Sequence, residues 1–181
     1  MAKRPPQRLD REALLNVALR ALGARAHSSG ELREKLRRRA EKAGDVDLVL
    51  ANLKAAGYLN DRRFAESYAS ARLQNQGLGK MRVLRDLRQR RVGPKLAEQV
   101  TEETYRDSNE AQLIEDFLRR KYRGKQLAEF LSEEKNLAAA FRRLRYAGFS
   151  AGQSIRVLKK FAKEPELLDA LEGEHASSED E

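Results

Sequence analysis

Leucine, valine, alanine and phenylalanine recur at spacings of three and four along most of the chain, the period of a helix with one buried face. Over residues 10 to about 25 the face is marked by Leu15, Ala18, Leu19 and Leu22, with Gly23 near the end. Ser28 and Glu31 form an S-x-x-E capping box, which opens a second helix with Leu32 and Leu36 on its buried side. A third helix begins near Asp45 or Asp47 and carries Val49, Leu50 and Leu53 to a stop at Gly57. The same plan follows with helices over about 60–75, 80–91 and 94 to about 104, where Pro94 suits a first helical position. A longer third set starts near Ser108 with Leu113, Phe117 and Leu118, passes Leu127, Phe130 and Leu131 after Gly124, and continues over 137–147 and 155–163. No alternating run of useful length signals a strand.

The pattern repeats. Leu32 with Leu36, Val83 with Leu87, and Ala140 with Leu144 hold one four-residue spacing in a basic frame, and Val92 and Phe149 each follow five residues after the last of their pair. A period near 50 residues predicts an all-α protein of tandem three-helix, helix-turn-helix-like repeats, elongated and curved. The expected division is a flexible basic arm (1–8), repeats over 9–57, 58–105 and 106–172, and a disordered acidic tail (173–181).

The corner between the first two repeats carries the most information. Gly57 suits a left-handed helix stop, Tyr58 and Leu59 are expected to pack the corner, and Asn60 and Asp61 to receive the free amides of the next helix. Phe64, Tyr68 and Arg72 then follow at four-residue spacing.

Composition narrows the class. With 40% hydrophobic and 36% charged residues, 181 residues do not bury one large round core, and an extended helical protein fits better. The lack of cysteine excludes disulfides and thiolate metal sites. No apolar run approaches the roughly 20 residues that span a bilayer, and nothing resembles a signal peptide, so the chain reads as cytoplasmic without a membrane partner. The net charge of +9 hides a −7 over residues 163–181, which leaves +16 on the first 162. Such an excess points to nucleic acid or to a protein surface beside it.

On a helical wheel of residues 80–91, Val83, Leu84 and Leu87 cluster opposite Arg82, Arg85 and Gln89. Arg142 and Arg145 lie likewise opposite Leu137, Ala140, Phe141 and Leu144, and Lys159 and Lys160 extend the basic surface. The first repeat contributes Arg33 and Arg37, with Arg38 and Arg39 adjoining. Arginine forks grip phosphate or carboxylate at two points, so Arg33, Arg37, Arg72, Arg82, Arg85, Arg88, Arg142, Arg145, Lys159 and Lys160 are the candidate partner-binding residues. A sequence-reading helix-turn-helix regulator and a helical-repeat RNA-binding or scaffold protein are the alternatives, although no helix has the features of a base reader.

Catalysis finds no support. Gly77-Leu78-Gly79-Lys80 brushes a phosphate loop, but Gln74 and Met81 stand where a glycine and a hydroxyl residue belong. His27 and His175 read as solvated side chains, and Glu102, Glu103 and Asp107 as a solvated helix end. No catalytic residue, metal site or cofactor is implied.

The residues resemble the RecX family of recombination regulators. The corner matches at Gly57, Tyr58, Leu59, Asp61, Phe64, Ala65, Tyr68 and Arg72; the first repeat at Ala18, Leu19, Ser28, Glu31, Leu32, Lys35 and Leu36; the third at Leu144, Gly148, Phe149, Ile155 and Leu158. Asn60 departs from the family's aspartate, Arg62 and Arg63 make the helix start more basic, and the loop 149–155 carries one residue more than the family's pattern. The resemblance implies a monomeric, non-enzymatic protein that binds RecA-type recombinase filaments on single-stranded DNA, inhibits their activities, and itself binds single- and double-stranded DNA.

Overall fold

A computed structural model describes residues 8–162 and Leu168. The expected acidic tail, His175 and residues 1–7 of the expected arm lie outside the described residues. The described chain is all-α, with no β-strand and a single isolated bridge between Leu9 and Ala40. Arg8, counted with the arm in the sequence reading, donates to the carbonyl of Ala40.

Packing divides the chain into two units. The first comprises the described residues through Tyr68 together with Asp86–Val100, and the second comprises Ala69–Arg85 and the described residues from Thr101 onward. Helices α1 (Arg11–Ala24), α2 (Ser29–Arg37) and α3 (Ala43–Ala55) build the first unit, and α4 (Asp61–Ala71), α5 (Lys80–Gln89) and α6 (Pro94–Tyr105) contribute residues to both units. The second unit adds α7 (Glu110–Lys121), α8 (Leu127–Leu131), α9 (Glu134–Ala147) and α10 (Ala151–Leu158).

In the first unit Leu14, Leu32, Leu36, Val49, Leu50 and Leu53 form the centre of the core. Asp10 caps α1 by accepting from the amide of Ala13, and the capping box of α2 is complete, with Ser28 and Glu31 each accepting the other's amide. The buried stripe of α1 is rotated from the expected one. Leu14, Ala18 and Ala21 are buried, whereas Leu19 is 39% exposed and Leu22 only partly covered. Alanine's small side chain lets α1 close on α2 and α3, so packing selects the alanine face over the leucine-rich one.

Several borders differ from the sequence reading. α3 starts at Ala43, two residues before Asp45, because Asp45 serves inside the first turn beside the positive end of the helix instead of capping it. α4 does not run on to residue 75 as an α-helix; Arg72–Gln76 form a π-helical turn that stops at Gly77 in the left-handed region. α5 ends at Gln89, and Arg91 is left-handed, with φ 58°. α7 begins at Glu110 under an Asn109 cap, and α10 at Ala151 under a Ser150 cap, four residues before the expected start. Glu110 holds that second cap in place by accepting from the amide and hydroxyl of Ser150 at 2.7 and 2.9 Å.

The second unit's core is centred on Ile114, Leu118, Phe141, Leu144, Phe149 and Leu158. At the end of α9 the left-handed Gly148 presents its carbonyl to the amide of Met81, while Ala147 accepts from Gly79. The first turn of α5 is thereby seated on the last turn of α9.

Candidate nucleic-acid interface

The corner is a hub. Gly57 takes φ 76° and ends α3, and Leu59 is buried in the core. Tyr58 does not pack the corner; it stands 63% exposed, because the left-handed stop turns Leu59 inward and its neighbour outward. Asn60 caps α4 by accepting from Arg63, as expected. Asp61 does not cap its own helix. Its carboxylate accepts from the amide of Ser29 at 2.6 Å, so it caps α2 from across the first unit, with Lys54 3.9 Å away.

One face of α4 carries the aromatic pair. Phe64 and Tyr68 stack with centroids 6.2 Å apart, and the Arg90 guanidinium lies 4.8 Å from the Tyr68 ring. Arg90 also reaches Glu31 at 3.3 Å, its carbonyl accepts from the Ser28 hydroxyl, and the Tyr68 hydroxyl donates to Asp86 at 3.1 Å. Cation–π contact and a half-buried ion pair thus tie α2, α4 and the end of α5.

The ten candidate cations divide by what they touch. Arg37, Arg85 and Arg142 are exposed and form no ion pair among the described residues. Arg33 pairs with Asp47, Arg88 with Glu98 and Lys160 with Glu115, each cation on a half-exposed side chain. Such surface pairs contribute about 0–1 kcal/mol, so an incoming phosphate can displace them. Arg82 lies 4.6 Å over the Tyr146 ring, Arg145 donates to the carbonyl of Phe149 at 2.8 Å, and Arg72 donates to Gln76 at 2.8 Å. Those three are partly spent on the protein itself, and Lys159 is half-buried. Within the second unit the seating of α5 on α9 brings the Arg82 turn beside the Tyr146 end of the helix that carries Arg142.

Sequence spacing did not reveal two depressions on the first unit. One is a cleft of about 450 Å³ where Arg25, Lys35, Arg38, Arg39 and Arg91 surround Glu31 and Glu34. The other is a groove of about 680 Å³ lined by Leu19, Leu22, Tyr58, Phe64 and Tyr68, with Arg63 beside them. His27 lines both. Contrary to the sequence reading it is not solvated. It is 8% exposed, and its Nδ1 has no well-aligned hydrogen-bond partner among the described residues, the Glu31 carboxylate lying 3.4 Å away. Burial, then the Arg25 charge, lowers its pKa from 6.5, so the ring is neutral near pH 7. Burial by itself would raise Glu31, but the Arg25 hydrogen bond and charge, the Ser28 amide and Arg90 outweigh it and hold the carboxyl below 4.5.

No cluster of possible metal ligands occurs among the described residues, and no described helix is long and apolar enough to cross a membrane.

These features define an all-α protein of three-helix modules with cationic helix faces. Two family models match it, described as the first three-helix domain of RecX over residues 15–53 and the second over residues 60–100. A protein of Trichlorobacter lovleyi named Regulatory protein RecX is 34% identical over 108 residues, covering 60% of this chain and 70% of its own. The Regulatory protein RecX of Deinococcus radiodurans is 40% identical over 62% of this chain, a stretch that spans only 54% of that relative's length. A crystal structure of RecX from Lactobacillus salivarius shares the fold, with a TM-score of 0.59 at 18% identity over 83% of this chain and 96% of that one. The chain belongs to the RecX family.

Proposed function

We propose that this chain is a non-enzymatic regulator that binds a RecA-type recombinase filament on single-stranded DNA and restrains filament extension, ATP turnover and strand exchange. The supporting observation is the supply of exposed guanidinium groups with no ion pair among the described residues on the middle helices, Arg37 on α2, Arg85 on α5 and Arg142 on α9, in a chain whose relatives are named regulatory proteins. Arginine forks suit phosphates and carboxylates, the two anionic groups that a nucleoprotein polymer presents. Modules over 9–57, 58–105 and 106–172 would engage the polymer at more than one point, and linked weak contacts then reinforce one another through effective concentration. The protein acts in the cytoplasm as a monomer and needs no cofactor.

The test is ATP hydrolysis by a RecA-type recombinase on single-stranded DNA while this protein is titrated in below the recombinase concentration. A fall in turnover is expected. Unchanged turnover at every ratio ends the reading.

A further inference from the structure

We propose that the two depressions on the first unit form one binding site for single-stranded nucleic acid, with the phosphodiester backbone in the cationic cleft and an unstacked base in the aromatic groove. The inference rests on the reading that the chain works on single-stranded nucleic acid, and it adds where and how that strand is held.

Three observations carry it. First, the cleft has five cations against two carboxylates, and Lys35 and Arg39 have no ion pair among the described residues. The cleft keeps cationic side chains in surplus over its own acids, which is what an anion site needs. Second, the adjoining groove is apolar and aromatic, with an exposed Tyr58 at its rim and Leu19 uncovered beside it, although both are large enough to be worth burying. A base stacks on such a ring without sequence preference, and the cationic neighbour favours a base that brings a phosphate over a purely apolar guest. Third, His27 lines both depressions, so the cationic surface and the aromatic surface meet at one side chain.

Arg91 supports the same assignment from the backbone. It is the one non-glycine residue with positive φ among the described residues, at a helix end where glycine is the favoured occupant. The strained position holds an arginine, and its side chain lines the cleft, 3.7 Å from Glu34.

The experiment reads fluorescence anisotropy of a labelled oligothymidine of about 20 nucleotides with the full chain and no recombinase, against a duplex and an abasic strand of the same length. The single strand is expected to bind more tightly than either competitor. Tyr58→Ala, at an exposed position that the fold does not need, should weaken it by roughly 5- to 100-fold while leaving the duplex unchanged. Lys35→Ala and Arg39→Ala should each flatten the salt dependence by up to about 0.7 in the log–log slope. Arg91→Gly should weaken binding without lowering the denaturation midpoint, which separates loss of a contact from loss of fold. A Tyr58→Ala variant within two-fold of the parent, or an abasic strand bound as tightly as oligothymidine, overturns the proposal. Because no recombinase is present, intact strand binding with unchanged ATP turnover refutes the proposed function alone, and the converse refutes this site alone.

Discussion

Replacing Gly30 by alanine tests whether packing or helix propensity governs α2. In an isolated helix the change gains about 1 kcal/mol, since alanine loses less backbone entropy and glycine is among the poorest helix formers. Here a Cβ at position 30 would fall 2.3 Å from the carbonyl oxygen of Arg91 and 2.5 Å from its Cβ. That is about 1 Å inside the closest weak C–H···O contacts, which run about 3.3–3.6 Å. Arg91 cannot simply withdraw. Its amide is bonded to Arg88, the amide of buried Val92 to Leu87, and the carbonyl of Arg90 to the Ser28 hydroxyl. Overpacking against such backbone costs about 3 kcal/mol, the upper part of the usual range, so the net effect is a loss of about 2 kcal/mol. Gly44 in α3 provides the control. A Cβ there meets nothing within 4 Å, so Gly44→Ala gains up to about 0.5–1 kcal/mol from propensity alone. Urea unfolding followed by circular dichroism should therefore move the two midpoints in opposite directions. Gly30→Ala matching or exceeding the parent would refute the close approach of α2 to the Arg91 turn.

Two further predictions concern the same unit. Asp61→Ala removes the carboxylate that caps α2 at 2.6 Å and should cost about 1–2 kcal/mol, read from the urea midpoint, with Asp61→Asn recovering part of it; equal stability of all three proteins would contradict the cap. His27 has a folded-state pKa below its unfolded value of 6.5, so its contribution to stability is full above that value and is lost as pH falls through it, when the unfolded chain takes up a proton that the folded chain resists. The neighbouring Arg25 and Lys35 oppose the proton and Glu31 favours it. Stability of the parent should decline from pH 7 to 5, and His27→Gln should show a shallower decline; parallel curves would mean that the ring is not buried neutral.

The helices were legible because burial has a period, and the buried pairs Leu32 and Leu36, Val83 and Leu87, and Ala140 and Leu144 are all fully covered. What was not legible depends on contacts between residues far apart in sequence. The leucines of α1 outweigh its alanines on any hydropathy measure, yet the closest helix packing favours Ala18 and Ala21. Asp61 looked like the cap of its own helix and serves Ser29, 32 residues earlier. The start of α10 was placed at Ile155, the first apolar position of its stripe, whereas the Ser150 cap opens it at Ala151. The cleft was hidden for the same reason, since Arg91 joins Arg25 and Lys35 only through the turn that rests on Gly30.

The repeat is faithful in its core and unfaithful on its surface, and this bears on how the molecule works. Arg37, Arg88 and Arg145 each follow the second residue of their buried pair, yet the first has no ion pair among the described residues, the second is held by Glu98 and the third by the carbonyl of Phe149. Two residues before that apolar residue stand Glu34, Arg85 and Arg142, so the second and third repeats present a guanidinium where the first presents an acid. Glu34 in turn engages Arg38 and approaches Arg91, which places cationic groups around the cleft instead of on the outer face of α2. A core kept constant while its surface cations are reassigned means that equivalent helices do not make equivalent contacts. On the proposed reading Arg85 and Arg142 grip an anionic partner in the same way, whereas the first repeat carries Glu34 at that position and its cations line the cleft beside an aromatic groove, the arrangement that suits a strand with exposed bases.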